Sequence, residues 1–278
     1  MKSVIDGAHG FIGQHLAMRL LDLDHEVKTL DHFILADPVR LREYFEFEKP
    51  DYIFHLSAYG NHYNQIDDDM IFYANIENTW NLLKATKDIN YKNLINFGSS
   101  SEYGPKTAPM HESHLLETDT IYGATKAANT NLCRAFAKKY HKNITTIRPF
   151  SVYGEGEANF RFIPRVISSL KDGKPFPLDP YPTHDWIYIE DFIDGVIKAM
   201  KDNLDVINIG TGLQTTNMEV VNMLEEISGR KSVYTLVEQL RGYDSFNWIA
   251  DNSLLKALGW KQKHSLREGL KKTYERTI

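Results

Sequence analysis

Three spaced glycines near the start of the chain restrict its fold more than any other feature. Gly7, Gly10 and Gly13 follow a short apolar segment, residues 3–5, and precede apolar residues at helical spacing over residues 11–21. A strand, a glycine turn and a helix in this order are typical of a parallel nucleotide-binding sheet, in which the helix N-terminus points free N–H groups at a phosphate. Gly7 would permit the tight turn, Gly10 the close approach of a pyrophosphate, and Gly13 the packing of helix on strand. The segment therefore predicts a dinucleotide site.

Short apolar runs alternate with helical periodicity along the first half of the chain, which predicts parallel strands joined by crossover helices. The predicted strands are residues 3–5, 26–30, 52–56, 94–97, 145–148 and 206–209. The predicted helices are residues 11–21, 79–87, 125–140, 164–170, 191–200 and 219–227. The expected fold class is α/β, with a Rossmann-type doubly wound parallel sheet followed by a less regular second half.

Composition and charge exclude several classes of function. The chain has 278 residues and a net charge of −5, which offers no basic excess for binding nucleic acid or an anionic membrane. Its single cysteine, Cys133, lies in a helical pattern where a buried thiol is expected, and it cannot form an internal disulfide. No signal-peptide pattern precedes the first strand, and no apolar run approaches the roughly 20 residues that span a bilayer. These features predict a cytoplasmic protein without a nucleic-acid or membrane partner.

Asp31 ends the second predicted strand, about 20 residues after the glycine turn. A carboxylate at this place accepts hydrogen bonds from the adenosine ribose and repels a 2′-phosphate. The residue therefore favours NAD, with NADP as the alternative cofactor. A helix cap or a surface turn is the alternative role for Asp31.

A tyrosine and a lysine four residues apart, Tyr122 and Lys126, share one face of a predicted helix. Ser99 ends an apolar strand, so its hydroxyl is expected at the carboxyl edge of the sheet, beside a bound nicotinamide. The lysine and the positive nicotinamide would lower the tyrosine pKa, so that a phenolate takes a proton from a substrate hydroxyl that serine orients. Ser99, Tyr122 and Lys126 are the predicted catalytic residues. The alternative is that Tyr122 and Lys126 only cap and solubilise a helix.

Together these segments resemble the extended short-chain dehydrogenase/reductase superfamily, in particular its NAD-dependent nucleotide-sugar epimerases, dehydratases and ketoreductases. The similarity runs nearly from end to end. The segments that carry it are residues 55–58, 75–79, 99–104, 122–126, 148–154, 184–191, 208–212 and 258–260. Such a set is specific for the superfamily and much less specific for the reaction.

The resemblance implies roles for further residues. The residues expected to contact the cofactor are Gly7, His9, Gly10, Phe11, Ile12, Gly13, Asp31, Leu56, Ser57, Ala58, Asn75, Tyr122, Lys126 and Pro149. Those expected to contact a nucleotide-activated sugar are Tyr59, Ser100, Ser101, Ser151, Arg161, His184, Arg241 and Asp244. No metal is expected, because the nicotinamide supplies the electrophile and no cluster of ligands at metal-binding spacing is present.

The substrate side departs from the family's usual pattern at two positions. His184 stands where an arginine usually helps to hold the diphosphate, and Ser151 replaces a usual asparagine. Arg241 would hold the diphosphate, with Asp244 near the nucleoside ribose, although a surface salt bridge is the alternative for Arg241. Diphosphate contacts are therefore expected to be redistributed, with Arg161 and Arg165 as the candidates.

The resemblance also predicts domains and an assembly. Residues 1–153, with 184–212 returning to them, would form the NAD-binding Rossmann domain. Residues 154–183 and 213–278 would form a smaller, discontinuous α/β substrate domain. Helices 79–87 and 125–140 would form a two-fold four-helix contact in a homodimer.

Three reactions of the superfamily compete for the site. A 4,6-dehydratase needs an acid pair directly after its active-site hydroxyl residue, where this chain has Ser100 and Ser101, and a hydroxyl cannot replace a carboxylate near neutral pH. A 4-epimerase, which moves hydride at hexose C4, is favoured by Asp31 and the intact tyrosine–lysine pair. A 4-ketoreductase stays open because only about 20 residues separate Asp31 from the next predicted strand, which implies a trimmed crossover. The epimerase is the leading prediction, and a non-catalytic cofactor-binding protein is the weakest alternative.

Overall fold

A six-stranded parallel sheet forms the centre of the structure, a computed structural model that describes residues 1–62, 64–238 and 247–277. The strands, in chain order, are β1 (Lys2–Asp6), β2 (Glu26–Leu30), β3 (Tyr52–His55), β4 (Asn93–Phe97), β5 (Ile144–Pro149), β6 (Ser151–Tyr153), β7 (Phe176–Leu178), β8 (Thr183–His184), β9 (Trp186–Tyr188), β10 (Val206–Ile209), β11 (Thr215–Thr216) and β12 (Tyr234–Leu236). The order across the central sheet is β10-β5-β4-β3-β1-β2, and each neighbouring pair is parallel.

Helices connect these strands and cover the sheet. The α-helices are α1 (Phe11–Asp22), α2 (His32–Leu35), α3 (Pro38–Glu48), α4 (Asp68–Phe72), α5 (Asn78–Thr86), α6 (Ile121–Tyr140), α7 (Phe162–Asp172), α8 (Ile189–Ala199), α9 (Asn217–Ser228), α10 (Ser253–Ala257) and α11 (Leu266–Arg276). A π-helical turn, Tyr73–Glu77, joins α4 to α5, and a 3₁₀ turn, Ser100–Glu102, follows β4. No helix of the described chain combines the length and the apolar character that a membrane crossing requires.

The central strands are buried on both faces, as expected for a parallel sheet between two layers of helices. Ile5 of β1 joins a core with α1 and α8 on one face, whereas Val4 joins a second core with α3, α5 and α6 on the other. Cys133 of α6 lies in the second core with 1% of its surface exposed. The predicted doubly wound α/β fold is confirmed.

The connection between β2 and β3 is short. Residues 31–51, all of which the structure describes, contain only the two helices α2 and α3 and no strand. As a result β3 pairs directly with β1, and β2 stays at the edge of the sheet. The short chain between Asp31 and β3 predicted this trimmed crossover.

Several predicted boundaries shift by a few residues. The helix predicted at 125–140 begins at Ile121, because Thr120 caps it by accepting a hydrogen bond from the N–H of Gly123 at 3.0 Å. Tyr122 therefore lies in the first turn of α6. The remaining strands form three two-stranded pairs, β6 with β9, β7 with β12, and β8 with β11.

Candidate active site

The glycine turn between β1 and α1 has the geometry that a pyrophosphate requires. Gly7 has a φ of +65°, and the N–H of Gly10 closes the turn on the carbonyl of Gly7 at 3.0 Å. A Cβ at Gly13 would lie 2.2 Å from that carbonyl oxygen, so α1 can pack here only on a glycine. Gly10 precedes α1 without a side-chain cap, which leaves the first N–H groups of the helix for an anion. His9 and Gly10 are exposed, and Phe11 and Ile12 are half-buried.

Asp31 caps a helix, which was its alternative role to ribose binding. Its Oδ1 accepts a hydrogen bond from the N–H of Phe33 at 2.8 Å and caps α2. The side chain is 58% exposed at the end of β2. A carboxylate offers about four acceptor sites, so the cap leaves acceptor capacity for ribose hydroxyls. The contact with ribose stays a prediction.

The segment after β3, residues 56–59, is fixed by Asn75 of the π-helical turn. Asn75 is fully buried; its Oδ1 accepts from the N–H of Tyr59 at 2.9 Å, and its Nδ2 donates to the carbonyl of Tyr59 at 2.8 Å. The same Nδ2 donates to Oγ1 of Thr125 in α6 at 2.9 Å. The segment after β3 and α6 are therefore joined by this side chain. Its contact with the cofactor stays a prediction.

The structure brings the three predicted catalytic residues to one edge of the sheet. Ser99 follows β4 and caps the 3₁₀ turn, with its Oγ accepting from the N–H of Ser101 at 3.1 Å. Its hydroxyl also acts on Tyr122, in the direction that lowers the tyrosine pKa. Lys126, one helical turn after Tyr122, is 2% exposed. Pro149, the last residue of β5, ends the neighbouring strand.

Burial shifts both titrating groups toward their neutral forms. It raises the pKa of Tyr122 to about 12, although Ser99 and the positive charge of Arg161 act to lower it. Burial also lowers the pKa of Lys126, against the opposing charge of Glu102. A phenol with this pKa is not a base near neutral pH, so the site needs a further positive charge beside Tyr122.

Glu102 and Arg148 form a buried ion pair beneath Ser99 that the sequence analysis did not identify. They are 0% and 1% exposed, and Nε of Arg148 donates to Oε2 of Glu102 at 2.8 Å. Oε1 of Glu102 accepts from the N–H of Ser99 at 2.8 Å, and Oε2 also accepts from Thr130 of α6 at 2.7 Å. The pair therefore joins the turn after β4 to β5 and α6 beneath Ser99. The acidic residue one place after Ser101 was the only available signal in the sequence.

The predicted substrate residues belong to several separate elements. Ser100 is buried, and its Oγ accepts from Nε1 of Trp248 at 3.0 Å, a partner that the sequence analysis missed. Arg161 is the N-cap residue of α7, and its charge acts on Tyr122. Ser151 and His184 belong to β6 and β8, and the His184 ring lies 5.0 Å from that of Trp186. Arg165 is in α7, whereas Arg241 and Asp244 fall outside the described residues.

Comparison with known proteins assigns the family. The NAD dependent epimerase/dehydratase family matches residues 3–210 of this chain. The chain belongs to this family. Membership makes it an NAD-dependent enzyme, which confirms the cofactor predicted from the glycine turn and Asp31.

Members of the family with similar sequence or structure include 4-epimerases. The UDP-glucose epimerase YtcB of Bacillus subtilis (strain 168), described as uncharacterized, is 29% identical and aligns over 97% of this chain and 96% of its own. The UDP-glucose 4-epimerase of Lactobacillus helveticus is also 29% identical, over 95% and 93%. A crystal structure of a mutant UDP-glucuronic acid 4-epimerase from Bacillus cereus, with UDP-4-deoxy-4-fluoro-glucuronic acid and NAD, superposes with a TM-score of 0.90 at 29% identity, over 99% of this chain and 98% of that one.

The residues present fit the cofactor of the family. A Cβ at Gly7 would lie 3.1 Å from the backbone nitrogen of Ser57, so the turn packs closely against the segment after β3. The first N–H groups of α1 have no side-chain cap. When bound, NAD supplies the hydride acceptor and the positive charge that Tyr122 requires.

Proposed function

We propose that this family member is an NAD-dependent nucleotide-sugar 4-epimerase. The observation that carries the proposal is the position of Ser99 just after β4, with Tyr122 and Lys126 one turn apart at the start of α6. Similarity to 4-epimerases along nearly the whole chain supports it.

The chain's own residues would handle the proton of the C4 hydroxyl. The phenolate oxygen of Tyr122 takes this proton while hydride leaves C4, and it returns the proton after hydride comes back to the opposite face. Lys126 stabilises the phenolate, and Ser99 orients the hydroxyl through its Oγ. The capping box with Glu102 fixes Ser99, so that the orientation is set before the sugar binds.

The structure argues against elimination of water at this site. Ser100 and Ser101 carry no carboxyl group, and the neighbouring Glu102 is fully buried with both oxygens bonded inside the protein. Glu102 is therefore not free to act as the acid or base of a dehydratase. A 4-ketoreductase would use the same tyrosine and serine, and it remains the second candidate because of the short connection between β2 and β3.

The proposed substrate is a sugar bound to a nucleoside diphosphate. It would bind in a cleft between two domains. The larger domain consists of residues 1–153 and 184–212, and the smaller of residues 154–183 and 213–278. Tyr59, Ser100, Ser101, Ser151 and His184 are proposed to contact it. Arg161 is the proposed diphosphate contact among the described residues, because a guanidinium can bind two phosphate oxygens at once. Arg241 and Asp244 are proposed to complete the nucleotide site.

The assembly and location are also proposals. We propose a homodimer formed by α5 and α6, and a cytoplasmic protein. A reducing compartment suits Cys133, whose thiol is buried in the second core and whose pKa burial raises to about 12.

The first test is turnover of UDP-glucose and UDP-glucuronic acid by the purified protein, with products separated by chromatography. We expect the C4 epimer of at least one sugar, without net consumption of NAD. Tyr122→Phe should lower kcat by at least about 10³-fold and still bind NAD, because the ring stays and only the proton acceptor is lost. Tyr181→Phe, at a 65% exposed tyrosine, is the control and should match the wild type. Reduction of a 4-keto sugar at the expense of NADPH, without epimerisation, would favour the ketoreductase instead.

A further inference from the structure

A buried pair, Asp6 and His55, lies directly below the glycine turn and takes no part in the mechanism above. Asp6 ends β1 and His55 ends β3, where the two residues are in register, and each is 1% exposed. Oδ2 of Asp6 is 2.5 Å from Nδ1 of His55. Oδ1 accepts from the N–H groups of Leu56 and Ser57 at 2.7 and 2.6 Å. One carboxylate therefore holds the segment after β3 against the start of the glycine turn.

Further hydrogen bonds extend from this pair to the catalytic helix. Nε2 of His55 is 2.8 Å from Oγ1 of Thr79, which donates to the carbonyl of Asn75 at 2.7 Å. Nδ2 of Asn75 donates to Thr125 at 2.9 Å, and the Thr125 hydroxyl donates to the carbonyl of Tyr122 at 2.8 Å. The chain of bonds thus joins the residue before the turn to the residue that transfers the proton.

The hydrogen bonds fix the orientation of the His55 ring. The single hydroxyl proton of Thr79 goes to Asn75, so Nε2 of His55 must donate to Thr79. Nδ1 faces the Asp6 carboxylate and donates as well. Burial acts to raise the pKa of Asp6, but the charge and hydrogen bond of His55 and the N–H of Ser57 outweigh it and hold that pKa below its usual range. Both the Asp6 carboxylate and the His55 ring therefore have directional partners on each side.

We propose that Asp6, His55 and Thr79 are positioning residues whose hydrogen bonds set the distance between the glycine turn and α6, and thereby place NAD against Tyr122. The turn holds the pyrophosphate, whereas the nicotinamide must lie beside Tyr122, so the two ends of one cofactor depend on this distance. A displacement of about 1 Å is enough to lower a rate 100-fold. The effect on turnover rests on the proposed epimerase function, whereas the effect on NAD affinity does not.

A matched pair of variants at Thr79 tests the proposal. Thr79→Val removes the hydroxyl at nearly constant volume, and Thr79→Ser keeps it. Titration calorimetry measures the NAD affinity of each variant. Steady-state kinetics with the nucleotide sugar give kcat and KM. We expect Thr79→Val to weaken NAD binding about tenfold and to lower kcat at least about tenfold, with KM for the sugar within about twofold of the wild type. Thr79→Ser should stay within about twofold in all three quantities.

Asp6 provides a second pair that separates hydrogen bonding from charge. In Asp6→Asn the amide can donate to Nδ1 of a neutral His55, whose Nε2 still donates to Thr79, so the chain of bonds survives. In Asp6→Ala it is broken. We expect Asp6→Asn to keep NAD affinity and kcat within about threefold and Asp6→Ala to lose both by about tenfold or more. These variants decide the proposal if Thr79→Val does not fold.

The outcomes distinguish this proposal from the proposed function. If the wild type turns over no nucleotide sugar, the epimerase function fails, but the ratio of NAD affinities between Thr79→Val and Thr79→Ser still tests the positioning role. Equal affinities in folded variants would overturn it. So would a Thr79→Val enzyme with a lower Tm and an unchanged kcat, because that result would make the hydroxyl purely structural.

Discussion

Glu157 is a half-buried residue whose ionisation opposes folding. Within the described chain, its Oε2 is buried without a hydrogen-bond partner, and burial raises the pKa to about 8 although Arg161 acts to lower it. The ordinary pKa is 4.5, so between these two values the folded protein keeps a proton that the unfolded chain releases. The stability contribution is full below pH 4.5 and is lost as the pH rises toward 8.

Glu157→Gln removes this titration, since the amide stays neutral. We expect the variant to gain stability over the wild type as the pH rises from 5 to 8. The difference in the free energy of unfolding should grow by up to about 1.4 kcal/mol for each pH unit. Partial exposure of the residue will reduce that figure. Urea denaturation at several pH values measures it, with the exposed Glu43→Gln as control. A difference between variant and wild type that does not change with pH would contradict the prediction.

At the scale of elements, the Glu102–Arg148 pair holds the 3₁₀ turn, β5 and α6 together beneath Ser99. Glu102→Gln leaves the Arg148 charge buried without its partner, which costs about 3 kcal/mol or more in comparable pairs. We expect a loss of this size in the free energy of unfolding, measured by urea denaturation at pH 7. The exposed helical pair Arg42–Glu46 supplies the control, because Glu46→Gln should change stability by no more than about 0.5 kcal/mol. Equal losses in the two variants would contradict a special role for the buried pair.

The central elements could be predicted because local patterns specify them. Buried parallel strands require continuous apolar runs, and the glycine turn marks the start of α1, so the strands and the trimmed crossover could be predicted from spacing. The order of the strands across the sheet was not predicted. The hydrogen-bonding pairs of the site could not be predicted in this way. Asp6 is 49 residues from His55, and Glu102 is 46 residues from Arg148, so only the packed sheet brings each pair together.

The predicted catalytic residues are an intermediate case. Ser99, Tyr122 and Lys126 were predicted from their order along the chain and their resemblance to a family, and in the structure the Ser99 hydroxyl acts to lower the pKa of Tyr122. The sequence could not show that Trp248 donates to Ser100 or that Asn75 fixes the backbone of Tyr59. Such contacts depend on loop geometry, which apolar periodicity does not encode.

At the scale of the whole molecule, α5 and α6 lie side by side and present exposed stripes suited to a two-fold contact. The stripe of the π-helical turn and α5 is Tyr73, Glu77, Trp80 and Lys84, and that of α6 is Ala124, Ala128, Asn131 and Ala135. The Trp80 and Phe136 rings lie 6.4 Å apart, which joins the two helices, yet Trp80 keeps 42% of its surface exposed. Small residues on α6 permit close approach of a second copy, and aromatic residues provide apolar area to bury.

Trp80→Glu would place a charge in the centre of this contact, where it would be buried without a partner. We expect the wild type to elute as a dimer and Trp80→Glu as a folded monomer in size-exclusion chromatography with light scattering. Phe47→Glu is the control, since Phe47 is an 82% exposed aromatic residue on α3, outside the proposed contact. A monomeric wild type, or a Trp80→Glu variant that dimerises as well as Phe47→Glu, would rule out these helices as the interface. Because Tyr122 and Lys126 lie on α6, loss of the dimer should also lower kcat if the contact steadies that helix.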